Sequence, residues 1–172
     1  MEWGEAITRG TAQIAMACYL SRVLLDVAGW NSEAANSWKR GLWTLGCLAL
    51  WLHVAAAFEF VHHWSHRDAV EATAEQTRRV TGWFWGGGVY VNYAFAAFWL
   101  LDVLSWWRQG TEAAHGSRGW FWLTQAVFGF LIFNATVVFG PSYWRYVAAG
   151  FFVAFLIASL RRRHPPAGVD SS

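Results

Sequence analysis

Charge is scarce in this sequence. Asp, Glu, Lys and Arg supply 14% of the 172 residues, against about a quarter in soluble globular chains, which excludes a water-soluble fold with an ordinary surface. Cysteine is nearly absent. Cys18 and Cys47 both lie in apolar segments, with neither a spaced framework nor a C-x-x-C pair, so the pattern gives no disulfide scaffold and no redox motif. The formal net charge is only +2, with no basic stripe outside short loops and the tail, and no nucleic-acid partner is expected. The first residues, Met1-Glu2-Trp3-Gly4-Glu5, are acidic and lack the basic n-region of a signal peptide, so no cleavage is expected. No Gly-rich phosphate loop, nucleophile elbow or catalytic triad is present either.

What fills the sequence instead is apolar and aromatic: 56% hydrophobic residues, with 14 Trp, 13 Phe and 5 Tyr. Many tryptophans stand where apolar runs meet polar ones, the belt favoured at membrane boundaries. A helix needs about 20 apolar residues to cross the hydrocarbon core. By that measure four spans lie near Leu42 to His63, Trp83 to Trp107, Trp120 to Phe139 and Tyr143 to Leu160. A fifth, Thr8 to Ala28, contains Arg22 and Asp26. These can face each other as an i,i+4 pair, and the alternative is an amphipathic helix lying in the interface. The expectation is an all-α integral membrane bundle of five transmembrane helices, or four if the first is interfacial. It forms one domain over residues 1–164, followed by a disordered cytoplasmic tail over 165–172.

The last two spans are separated only by Gly140-Pro141-Ser142, which predicts a tight antiparallel hairpin. Orientation follows from basic residues, which are retained in the cytoplasm. With Arg161-Arg162-Arg163 inside, Lys39, Arg40, Arg108 and Arg118 are inside as well, giving seven. The outer side then carries Arg9, Arg67, Arg78, Arg79 and Arg145, giving five, diluted by five acids. The carboxyl terminus is therefore expected in the cytoplasm. The outer loop Ser65 to Thr81 lacks proline and glycine. Ser65 with Asp68 fits a helix-opening pattern and Glu75 with Arg79 an i,i+4 pair, predicting a short interfacial helix or a continuation of the second span.

The strongest chemical signal is Glu59-Phe60-Val61-His62-His63-Trp64-Ser65-His66. On a continuous helix at about 100° per residue, Glu59, His62, His63 and His66 share one face. Glu-x-x-His aims two ligands at one ion in bundle di-metal centres, and His62 with His66 suits a single zinc or copper ion. A transition metal ion (Fe, Cu or Zn) held by Glu59, His62, His63 and His66 is the sharper expectation. Three facts weigh against it: a bundle di-metal site needs a second Glu-x-x-His, a membrane hydroxylase needs several histidine boxes, and this chain has one. Headgroup anchoring and pH sensing stay open as alternatives. Glu59 is the member that anchoring explains least, because a carboxylate inside a span is expensive unless paired or protonated.

His53 lies deep in an apolar run, thirteen residues before His66, a spacing of roughly 20 Å that suits the axial ligands of two stacked b-type haems. His115 and His164 cannot supply facing ligands, so haem b is the lesser expectation and a helix-to-helix hydrogen bond from His53 the favoured one. The run Gly86-Gly87-Gly88 permits close helix approach or unwinding around a ligand. Asn92 and Asn134 are expected to bond across helices, the sequon Asn134-Ala135-Thr136 to stay unglycosylated in lipid, and Asp102 to pair with Arg22 or Arg108.

The blocks His62-His63-Trp64-Ser65-His66, Gly82 to Phe95 and Asn134 to Pro141 resemble a group of small bacterial multi-pass membrane proteins of no known activity. The similarity runs from about Trp43 to Leu160. It implies the same bundle architecture and a bacterial inner-membrane setting, and no activity. Two functions from different classes are thus expected: a metal-binding protein, and a non-catalytic accessory or scaffold subunit. The expected partners are membrane lipids and other membrane subunits or a homo-oligomer.

Overall fold

The computed structural model describes residues 2–110, 118–138, 140 and 142–163, and among them every regular element is helical. In chain order these are α1 (Glu2–Val27), α2 (Glu33–Phe60), α3 (His66–Thr81), α4 (Gly88–Gln109), α5 (Arg118–Phe133) with a π-helical turn (Asn134–Val138), and α6 (Trp144–Arg163). Three of them, Glu33–Phe60, Gly88–Gln109 and Trp144–Arg162, are long and apolar enough to cross a membrane. The segment Trp122–Val138 is apolar but shorter. This is the architecture of an all-α membrane protein with three candidate spans. The residues 165–172 of the expected tail, His115 and His164, and Phe139 and Pro141 of the expected hairpin lie outside the described residues.

Local chemistry sets the boundaries. Gly29, with φ of 75°, takes the left-handed conformation just past α1. Ser32 caps α2 by accepting a 3.2 Å hydrogen bond from the Ala35 N–H, and Ser65 caps α3 in the same way from Asp68. Gly82, φ 82°, closes α3. α3 is thus a separate helix, its charges paired along its length through Arg67–Glu71 at 2.8 Å, Arg78–Glu75 at 2.9 Å and Arg79–Glu75 at 3.4 Å. Such exposed pairs add little stability.

α1 packs mainly along α2, α4 lies against α2 and α3, and α6 lies against α1 and the π-helical turn. On α1 the buried residues Ala15, Cys18, Tyr19 and Arg22 recur at helical spacing, as do Ala35, Lys39, Trp43, Gly46 and Cys47 on α2. Where these stripes meet, the core is aromatic. Phe128 of α5, fully buried, has its ring centre 4.6 Å from Trp43, 4.8 Å from Trp99 and 5.1 Å from Tyr19, so one side chain contacts three other helices. Offset aromatic contacts of this kind add to plain area burial.

Gly46 makes the convergence possible. A Cβ there would stand 2.7 Å from Trp99 Cζ2 and 3.1 Å from Cys18 Cβ, so α1 and α4 both approach α2 where it has no side chain. Gly46→Val is expected to destabilise the bundle by about 1–3 kcal/mol through overpacking, read as a lowered midpoint in detergent unfolding. An unchanged midpoint contradicts this close approach.

Candidate functional site

The histidine segment does not stay helical. α2 stops at Phe60, the Val61 and His62 N–H groups both return to the Ala57 carbonyl, and His63 and Trp64 adopt left-handed φ values of 47° and 58°. Two consecutive non-glycine residues at positive φ mark a sharp reversal, after which His66 opens α3. Glu59, His62, His63 and His66 therefore belong to a helix end, a turn and the next helix, and the single shared face of a continuous helix is lost. Glu59 is exposed near the end of α2, and its Oε2 accepts a 2.7 Å hydrogen bond from Trp64 Nε1.

His66 sits between two tyrosines of α4. Its Nδ1 is 3.2 Å from the Tyr93 hydroxyl and its Nε2 3.2 Å from the Tyr90 hydroxyl, so both ring nitrogens are engaged. His62 stands edge-on to Phe58, whose ring also meets Trp64 and Tyr93. Together these contacts clamp the α2–α3 turn onto α4. Among the described residues, no three His, Cys, Asp or Glu side chains form a group able to hold a metal ion. In this arrangement Glu59 Oε2 and both ring nitrogens of His66 serve as hydrogen-bond partners.

Burial holds the His62 pKa below its ordinary value of 6.5; Asp68 pulls it up more weakly, and His63 adds to the lowering. The unfolded turn then binds a proton more readily than the folded one. Stability from this contact is complete above about 6.5 and declines as pH falls through that range toward the folded value. Protection factors over residues 61–66, with the intrinsic pH dependence of exchange divided out, are expected to fall from pH 7.5 to 5.5, and pH-independent protection would contradict it.

His53 forms the expected helix-to-helix bond. Its Nδ1 lies 2.8 Å from the Thr8 carbonyl of α1, which can only accept, so Nδ1 carries the proton. The other described histidines, His62, His63 and His66, follow it in the turn after α2 and at the start of α3. Asn134 departs from expectation. Its Nδ2 donates to Phe130 O of its own helix at 2.7 Å, and Thr136 Oγ1 donates to Ile132 O at 2.7 Å. These side chains satisfy carbonyls of the last turn of α5, where it passes into the π-helical turn.

A buried charge cluster lies at the opposite end of the bundle. Asp26 faces Lys39 Nζ at 2.8 Å and Arg22 Nε at 3.6 Å, and the two basic side chains are only 1% and 5% exposed. Lys39 Nζ also donates to Asn31 Oδ1 at 3.3 Å. Arg22 stacks 4.0 Å over Trp43 and 5.0 Å over Trp106. Asp102 accepts indole N–H groups from Trp43 at 2.8 Å and Trp120 at 2.9 Å, rather than pairing with Arg108. The cluster ties α1, α2, α4 and α5 together.

Beside this cluster a cavity of about 580 Å³ opens between α1, α5 with its π-helical turn, and α6. That size suits a small ligand or a lipid chain. Its walls are largely apolar side chains such as Leu20, Val23, Ile132 and Phe155. Its polar groups include Tyr19, whose hydroxyl donates to Gln125 Oε1 at 3.1 Å, the Gln125 Nε2, which is buried without a partner, Thr136, Asp26 and Arg162. Arg162 lies against Gly29, where its Nε would stand 3.3 Å from a Cβ. Gly129 lines the cavity with nothing within 4 Å of the position its Cβ would take. Sequence reading missed this site because one wall comes from α1, more than ninety positions before the α5 and α6 walls. No protein-family model, curated protein or solved structure matches the chain.

Proposed function

We propose that this chain is a non-catalytic membrane subunit that holds an apolar chain in the cavity between α1, α5 and α6. In this reading α1 and α5 cross the bilayer with the three apolar helices, and the carboxyl terminus is cytoplasmic. The positive-inside bias supports that orientation, and the resemblance noted in the sequence supports a bacterial inner membrane. The observation that carries the function is the cavity itself: about 580 Å³, apolar along its walls, with an unpartnered amide donor at Gln125. Catalysis gains no comparable support. Asp26 pairs with Arg22 and Lys39 inside the bundle, Glu59 Oε2 is engaged by Trp64, and the His66 ring nitrogens face Tyr90 and Tyr93.

Chemical quantification of lipid and metal in purified protein tests this. Roughly one acyl lipid per chain is expected in the unmodified protein, with clear loss in Gly129→Phe, whose ring would enter open space. Stoichiometric iron, copper or zinc that disappears in a His62→Ala/His66→Ala variant would overturn the reading in favour of metal handling.

A further inference from the structure

Resting on that cavity reading, we infer that the occupant is an anionic glycerophospholipid, with one acyl chain between α1 and α6 and its phosphate on Arg162. Depth is the first argument. The lining on α1 runs from Met16 to Val27, a rise of about 16 Å, which matches one leaflet of a roughly 30 Å hydrocarbon core.

Charge complementarity is the second. Asp26 is the one acid among the described lining residues, and it is already matched by Lys39 and Arg22. Arg162 lines the same cavity at the end of α6, is exposed, and has no carboxylate partner among the described residues. Exposed Arg161 precedes it. Among the described residues that line or pair at the polar end of the cavity, positive charge is therefore in excess, at the level where a headgroup of the inner leaflet would stand. A guanidinium is well shaped for phosphate, and anionic lipids enrich the cytoplasmic surface.

Native mass spectrometry of the full chain tests the inference, after equilibration with mixed micelles holding equal phosphatidylglycerol and phosphatidylcholine. The unmodified protein is expected to retain one phosphatidylglycerol in about tenfold preference, the scale of one charge-assisted contact. Arg162→Gln, at an exposed position, is expected to retain lipid at near parity. Gly129→Phe is expected to retain neither. Equal retention of both lipids by the unmodified chain, or an undiminished preference in Arg162→Gln, overturns the headgroup assignment while leaving the cavity reading intact if Gly129→Phe still empties it. Full retention by Gly129→Phe overturns both.

Discussion

Replacing Trp43 with alanine is expected to destabilise the bundle by about 4 kcal/mol, near the middle of the range for removing a fully buried large aromatic. Trp43 has 0% exposure, and its indole serves four partners at once. Its ring packs on Trp99 at 4.9 Å and Phe128 at 4.6 Å, its face carries the Arg22 guanidinium, and its N–H donates to Asp102. Truncation leaves a cavity, an uncovered arginine and a carboxylate with one donor fewer. Trp43→Phe keeps most of the volume and loses the N–H, so about 1–2 kcal/mol is expected from it. Trp107, an exposed tryptophan over which Arg40 stacks at 4.1 Å, is the control; its alanine variant is expected to stay within about 1 kcal/mol. Equilibrium unfolding in mixed micelles measures all three. Equal effects at Trp43 and Trp107 would contradict the placement of Trp43 at the core.

Asp26→Ala carries the second large effect, a loss of about 3–5 kcal/mol, because it leaves Lys39 and Arg22 buried without their counter-charge. The sign of the pair's own contribution is a separate matter. Two charges withdrawn from water are costly, and their attraction mainly offsets that cost. An Asp26→Leu/Lys39→Met double variant is therefore expected to be more stable than Asp26→Ala alone, since the unpaired lysine goes with its partner. If the double variant instead loses the sum of both single losses, the two groups are not coupled as their 2.8 Å separation requires.

The membrane character, the α3 cap and the Arg22–Asp26 pair were legible in the sequence because each depends on local spacing. Apolar run length, Ser65 before Asp68 and an i,i+4 offset all act within a few residues. The fate of Glu59, His62, His63 and His66 was not legible. A periodic face presumes that the helix continues, and here it ends at Phe60 because the turn that follows docks His66 between Tyr90 and Tyr93. Lys39 shows the same limit. Basic-residue counting puts it in a cytoplasmic loop, whereas Asp26 and Asn31, eight and more positions away, draw it into the interior at 1% exposure. The cavity is further from view still. Its volume comes from how α6 stands off α1 and α5, and the Asn134–Val138 turn that shapes one wall has no signature in composition.

Holding an apolar chain in the α1/α5/α6 cavity is the central claim, and native mass spectrometry of the unmodified protein released directly from lipid nanodiscs tests it most directly. Under activation just sufficient to strip the nanodisc, the protein is expected to appear mainly as a species one lipid heavier than the bare chain, with Gly129→Phe appearing bare. A bare unmodified chain under those conditions, or equal lipid-bound fractions in the two proteins, would contradict the account.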